Sequence, residues 1–212
     1  MVTGMRLPSC ILVWTLNVIS RAKPAVFLIC LLPLGLLGID VWQEYKAPGS
    51  ALGADPAVAV VHFLGNWAIR FLLLTLTVSS LTRRVRKLRL IPIRRMLGLF
   101  AFAYAILHFG AYFVLLAGAE LSGLLADFIE RPYITMGISA LILLLPLALT
   151  STTYWQRRLR HNWKKLHRLV YPIGLLVVIH VAWLAKSSYL EAVIYSMWLM
   201  VLFGERIFPK YR

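Results

Sequence analysis

The chain has 212 residues, of which 60% are hydrophobic, with a mean hydropathy of +0.78 and a formal net charge of +15. Its apolar runs are longer than a soluble core strand or helix needs, which excludes an ordinary water-soluble domain and points to an integral membrane protein. The positive charge does not indicate nucleic acid, because most Lys and Arg sit in short clusters between the apolar runs, the pattern that encodes membrane topology.

In chain order, apolar segments of near-spanning length cover about 24–43, 58–82, 96–118, 133–153, 168–186 and 189–208, and predict an all-α integral membrane protein built as a six-helix transmembrane bundle. Ahead of them, Cys10 to Ser20 is too short to cross and is flanked by Arg6, Arg21 and Lys23. It reads either as an interfacial helix or as the start of a bent first helix. No small-residue cleavage site follows Ser20, so residues 1–23 are expected to stay as an N-terminal cytoplasmic or interfacial segment. The helical domain then spans 24–208, with a short cytoplasmic tail at 209–212. Turns are marked by Pro48-Gly49, Asp55-Pro56, Pro92 and Arg131-Pro132, and no internal repeat is visible. Cys10 and Cys30 lack any metal-binding spacing and read as packing residues.

Loop charge sets the orientation. Basic residues crowd the N-terminus, the second loop (Arg83, Arg84, Arg86, Lys87, Arg89, Arg94, Arg95), the fourth (Arg157, Arg158, Arg160, Lys164, Lys165, Arg168) and the C-terminus (Arg206, Lys210, Arg212). The alternate loops carry Glu44, Asp55, Glu120, Asp127, Glu130 and Glu191, with only Lys46, Arg131 and Lys186 as cations. Both termini and the basic loops are therefore expected on the cytoplasmic side.

With orientation fixed, each histidine acquires a depth. His108 lies twelve residues beyond Met96 and His180 twelve beyond Arg168, each at a cytoplasmic helix entry. Both imidazoles then sit about 18 Å into the bilayer on helices running the same way. An ionisable side chain there is costly unless paired or coordinated. Two imidazoles at one level across a bundle suit axial ligation of a haem iron, and two separate hydrogen-bonded core histidines are the plainer alternative. His167, at the cytoplasmic mouth, fits three roles: a ligand of a second cofactor, a quinone or flavin contact, or an interfacial residue. An undistorted helix would turn it about 140° from His180, an objection that a rewound turn near Pro172 and Gly174 would remove. His62 starts the second span at the outer surface and is a weaker redox candidate, while His161 lies in the basic fourth loop and reads as solvated. Arg70 is the one cation deep within a span. No Asp or Glu is expected at its depth, so a haem propionate is the expected partner, with a lipid or quinone as runner-up.

Taken together, Gly53-Ala54-Asp55-Pro56, His62-Phe63 with Gly65, Arg94-Arg95 before Leu97-Gly98-Leu99, Leu107-His108, Arg131-Pro132-Tyr133-Ile134-Thr135 with Gly137, Thr150-Ser151-Thr152, Trp163 with Leu166-His167 and Tyr171, and His180 with Trp183 resemble one family in order and spacing. The resemblance is to MsrQ, the haem-binding membrane subunits of the bacterial protein-methionine-sulfoxide reductase system, within the ferric-reductase-like transmembrane group. It covers about residues 50–206. It implies b-type haem, one or two per chain, held by histidines that fall here on His108, His167 and His180, and FMN, for which no motif is visible. It further implies a bacterial inner-membrane electron relay, drawing from the quinone pool or a cytosolic flavin reductase and delivering to a periplasmic molybdenum enzyme, MsrP, that repairs oxidised methionines in envelope proteins. On that reading the chain is an electron-transfer subunit with no methionine-sulfoxide site of its own. Nothing in the sequence offers a nicotinamide-binding GxGxxG after a strand, so electrons must come from a partner or from quinol. A ferric or cupric reductase with the same haem, and a metal-ion transporter using the same histidines, are the rival readings.

Overall fold

The computed structural model describes residues 9–85, 90–184 and 189–207, with side chains described within these segments from residue 23 to residue 206. Eight α-helices follow one another among the described residues, and no strand is present among them. Arg6, Arg86, Lys87, Arg89, Lys186, Lys210 and Arg212, which carry part of the charge asymmetry, lie outside this description, as does the 209–212 tail.

The first helix, α1 (Ser9–Lys46), is continuous. The Cys10–Ser20 stretch is thus the beginning of the first helix and not a separate element, and no break occurs at residue 23. Pro24 and Pro33 lie inside α1, where each removes a backbone donor, a defect that helices tolerate best near neighbours able to absorb it. The α1 helix ends at the Pro48-Gly49 turn, where Gly49 adopts a φ of 84° and Glu44 accepts hydrogen bonds from the amides of Gly49, Ala51 and Leu52.

The next helix, α2 (Pro56–Arg84), starts as the sequence suggests: Asp55 caps it by accepting from the Val58 amide at 3.1 Å, and Pro56 occupies its first turn. After it, α3 (Ile91–Ala111) passes into a π-helical turn, Tyr112–Leu116. Such a turn widens the helix and is frequent at functional sites.

Two helices occupy segments read from the sequence as loops. A short outer helix, α4 (Leu121–Glu130), precedes α5 (Pro132–Leu149), and α6 (Thr153–Leu166) fills the basic fourth loop. The α6 segment is rich in Arg, Lys and Leu, good helix formers, and is capped by Thr152; charge density alone had marked it as loop. A single non-helical residue, Arg160 at φ 44° and ψ −113°, interrupts it. A 3-10 turn, His167–Leu169, then leads into α7 (Val170–Leu184), and α8 (Leu190–Ile207) closes the chain.

Five segments are long and apolar enough to cross a membrane: Lys23–Lys46, Pro56–Arg84, Ile91–Leu116, Pro132–Leu149 and Thr153–Leu184. The chain is an all-α, multi-pass membrane protein. The sixth expected span, α8, is not among the five; it contains Glu191, Glu205 and Arg206. It nonetheless runs parallel to the Asn66–Arg84 part of α2 through a ladder of polar contacts. Asn66 donates to Glu191 at 3.0 Å, Arg70 to the Tyr195 hydroxyl at 3.0 Å, Trp198 to the Thr77 hydroxyl at 3.0 Å, and Arg84 pairs with Glu205 at 2.6 Å. From Asn66 to Arg84 is about 27 Å of helix rise, close to the thickness of a bilayer core.

The main helix pairings are α2 with α3 and α5 with α7. Between them lies a core of Leu64, Phe71, Leu72, Phe100, Tyr104, Leu144 and Ile173, onto which α1 packs through Cys30 and Leu37. Phe71 sits 5.1 Å from Tyr104 and 5.5 Å from Trp67 in tilted ring contacts, and the fully buried Tyr104 donates its hydroxyl to the Cys30 carbonyl at 2.8 Å. Cys30 is a buried packing residue, as its sequence context suggests. A second cluster, Ile69, Leu73, Leu76, Val178, Tyr195 and Leu199, joins α2, α7 and α8. Large apolar side chains on the outside of α1, α5 and α8, among them Leu28, Trp42, Ile142, Leu149, Met200 and Val201, are exposed in the direction lipid would occupy.

Candidate functional site

The helix pairs enclose a cavity of about 950 Å³ lined by α2, α3, α5, α7 and the first turn of α8. His108 and His180 face each other across it, their ring centres 6.3 Å apart and their planes at 81°. A five-membered ring with bonds of about 1.33 Å has its nitrogens about 1.1 Å from its centre. With metal–imidazole bonds of about 2 Å, two rings on opposite faces of one metal therefore have centres about 6 Å apart. The observed separation fits that arrangement.

Each imidazole is held the same way. His108 Nδ1 lies 2.8 Å from the Val61 carbonyl and His180 Nδ1 lies 2.6 Å from the Tyr133 carbonyl. A carbonyl can only accept, so Nδ1 carries the proton in both rings, and in the neutral imidazole Nε2 is left with its lone pair. One helical turn beyond each carbonyl stands a glycine against the ring. A Cβ on Gly65 would come within 2.9 Å of His108, and one on Gly137 within 3.0 Å of His180. Only a residue without a side chain lets α2 and α5 approach the rings this closely.

The two cradles are copies. In each, the histidine follows its carbonyl partner by 47 residues, and the whole set Val61, Gly65, His108 recurs 72 residues later as Tyr133, Gly137, His180. The sequence shows no repeat because only the glycine and the histidine are shared, and the carbonyl partner is backbone. The same reason hid the glycines' role: both belong to the family pattern, but their function depends on a contact between helices.

Polarity within the cavity is asymmetric. Around and below the histidines the lining is apolar, with Leu72, Ala101, Ala140, Leu144, Ile173 and Val177. At the outer end it becomes polar, with His62, Asn66, Tyr112, Arg131, Tyr133 and Glu191. His62 thus lines the same cavity as the central pair. Arg131 anchors this rim: its Nε lies 3.1 Å from Asp127 Oδ1, and the other Asp127 oxygen accepts from the Tyr112 hydroxyl. The Asp127 carboxylate keeps the Arg131 guanidinium firmly protonated.

Arg70 departs from expectation. It turns toward α8, where Nε donates to the Tyr195 hydroxyl, a terminal nitrogen lies 3.7 Å from Glu191, and the guanidinium stacks 5.1 Å from the Trp67 ring. It does not line the cavity. The expectation that no acidic group reaches its depth is incorrect, because the start of α8 carries Glu191 down beside α2. The inference of a propionate on Arg70 therefore loses its ground.

His167 also stands apart from the central pair. In the 3-10 turn its ring stacks on Trp163 at 3.9 Å and its Nδ1 lies 3.1 Å from the Trp163 carbonyl. The Trp163 indole is in turn fixed by donating to the Thr150 carbonyl at 2.9 Å. The rewinding expected between His167 and His180 occurs at residues 167–169, ahead of Pro172. His161 lies on the exposed face of α6. Among the described residues no group of three or more His, Cys, Asp or Glu gathers to hold a bare metal ion. The central pair offers two ligands, so a metal there would need its remaining ligands from a bound group.

Comparison with known proteins gives a consistent result. Residues 64–178 match the family described as ferric reductase like transmembrane component. The protein-methionine-sulfoxide reductase heme-binding subunit MsrQ of Xanthomonas euvesicatoria pv. vesicatoria (strain 85-10) is 45% identical over 192 residues, covering 91% of this chain and 88% of that protein. The subunit of the same name from Xanthomonas oryzae pv. oryzae (strain MAFF 311018) is 46% identical over 89% of this chain and 87% of its own length. That of Agrobacterium fabrum (strain C58 / ATCC 33970) is 43% identical over 79% and 77%. No solved structure matches.

Proposed function

The chain belongs to the MsrQ family of haem-binding membrane subunits, and on that premise we propose that it is the electron-transfer subunit of a protein-methionine-sulfoxide reductase, with haem b held between His108 and His180. The observation that carries this reading is the paired cradle: two imidazoles 6.3 Å apart, each with Nδ1 on a carbonyl and Nε2 left as a ligand.

Haem bound there supplies one-electron chemistry. The chain's own residues do the rest. Val61 and Tyr133 carbonyls fix the tautomer and orientation of the ligating rings, and Gly65 and Gly137 admit them between helices. Leu72, Ala101, Ala140, Leu144, Ile173 and Val177 keep water from the inner part of the cavity, which limits side reactions. The outer rim, including His62, brings the cavity close to the outer surface, the side on which an acceptor would dock.

The further elements of the reading are an inner-membrane location, six spans with α8 as the last, and a periplasmic molybdenum methionine-sulfoxide reductase, MsrP, as electron acceptor. Quinol or a cytosolic flavin reductase would be the donor, with His167 and its Trp163 stack on the donor side, where FMN or a second haem would lie. The ladder joining α8 to α2 supports the sixth span. The chain's part in the reductase is delivery of electrons, with the sulfoxide chemistry left to its partner.

The test is a visible spectrum of detergent-purified protein before and after dithionite. Soret and alpha bands are expected in the unaltered protein, absent from His108→Ala and from His180→Ala, and retained in His161→Ala. A colourless protein after haem supplementation would remove the relay reading and favour metal-ion transport. Reduction of ferric or cupric ions at full rate without any periplasmic partner would favour a metal reductase.

A further inference from the structure

Resting on the haem reading above, we propose that Arg131, braced by Asp127, is the cation that binds the haem carboxylates, and that the haem therefore sits with its carboxylate edge toward the outer mouth of the cavity. Three observations lead there. A ring ligated by both His108 and His180 stands across the line joining them, which leaves only rotation about that line to choose where its two anionic arms point. Apolar side chains close the cavity on the inner side, where an unpaired carboxylate would be costly to bury. The polar groups of the lining gather at the outer rim, and Arg131 is the guanidinium among them.

The rim is itself divided. On the α8 side Glu191 faces the cavity, its charge shared with Asn66 and Arg70, and repels a second anion. On the α5 side Arg131 meets Asp127 through Nε at 3.1 Å and also hydrogen-bonds the Tyr133 side chain; with five N–H donors on its planar guanidinium, it still has donors to offer a carboxylate beside the cavity. Asp127 cannot easily swing away from this duty, because its second oxygen is held by Tyr112 in the π-helical turn. The turn thereby fixes the height of the guanidinium relative to His108, one turn earlier on the same helix. The sequence pointed to Arg70 for this role because Arg70 lies deeper; the structure assigns it to the shallower arginine because that one lines the cavity.

The test compares haem retention and potential in the purified holoprotein. Haem transfer to excess apomyoglobin is expected to be at least tenfold faster from Arg131→Gln than from the unaltered protein, with Arg131→Lys in between. Removing a positive charge beside the haem should also shift its reduction equilibrium about tenfold toward the oxidised form, about 59 mV for one electron. Arg157→Gln, on the cytoplasmic α6, is expected to change neither. In a second arm, protein produced without haem is loaded with haem dimethyl ester, which keeps the iron but lacks the carboxylates. The unaltered protein should lose the ester as fast as Arg131→Gln loses natural haem, and Arg131→Gln should show no further loss with the ester. Unchanged retention and potential in Arg131→Gln, or haem loss in Arg70→Gln without loss in Arg131→Gln, would overturn the proposal while leaving the histidine pair intact. Should Arg131→Gln not accumulate, equal retention of ester and natural haem by the unaltered protein would overturn it. Absence of haem from the unaltered protein would instead remove the underlying reading.

Discussion

Replacing Gly137 with alanine isolates the contact on which the site's geometry turns. The new methyl would lie 3.0 Å from Cε1 and Nδ1 of His180, whereas ordinary contact begins near 3.4 Å. The ring must retreat by about 0.4 Å, or α5 must move away from α7. Retreat is opposed by the 2.6 Å bond from Nδ1 to the Tyr133 carbonyl, one turn earlier on the same helix that carries the methyl. Overpacking of this kind costs about 1–3 kcal/mol, and if the strain falls on the bound state, haem affinity drops about fivefold to a hundredfold. Gly65→Ala presses on His108 at 2.9 Å and should act in the same way. Gly110→Ala is the matched control, being in the His108 helix with nothing within 4 Å of its added carbon. The assay is the haem-to-protein ratio of purified variants, with the rate of haem transfer to apomyoglobin. Full haem content and an unaltered transfer rate in both Gly65→Ala and Gly137→Ala would show that the glycines do not set the ligand positions.

Further outcomes follow from the same structure. Tyr104→Phe removes a buried hydroxyl from the Cys30 carbonyl and should lower stability in detergent by about 1 kcal/mol, read as a lower unfolding temperature with haem content kept. Trp198→Phe breaks the indole bond to Thr77 and should loosen α8 from α2, seen as faster proteolysis near the C-terminus. Single cysteines placed at Ser50 and at Arg158 should label from opposite sides of sealed membrane vesicles, Ser50 from the outside; labelling of both from one side would contradict the orientation.

Much of the fold was legible because lipid imposes simple rules on a spanning segment. Asp55-Pro56 and Arg131-Pro132 mark helix starts by local chemistry, and both do so in the structure. The parallel depth of His108 and His180 followed from counting residues along helices whose direction the loop charges had set. What stayed hidden depends on lateral contacts. Arg70 and Glu191 are 121 residues apart, and their meeting requires that α8 lie parallel to α2, which no local pattern encodes. The α4 and α6 helices were missed for another reason: a surface helix at a membrane interface carries the charges that also mark loops. Gly65 and Gly137 were visible as letters in the family pattern, and their role became readable only when the histidine rings were seen against them. Arg131 was counted as a minority cation in an outer loop, and its place on the cavity rim depends on how α4 folds back beside the π-helical turn.

The most direct test of the histidine pair is low-temperature electron paramagnetic resonance of the oxidised, haem-loaded protein. Two neutral imidazoles with planes near perpendicular, 81° in this structure, predict a low-spin ferric signal of the strongly anisotropic kind, converted to high spin or lost in both His108→Ala and His180→Ala. A high-spin signal in the unaltered protein, or a low-spin signal that survives either substitution, would contradict axial ligation by this pair.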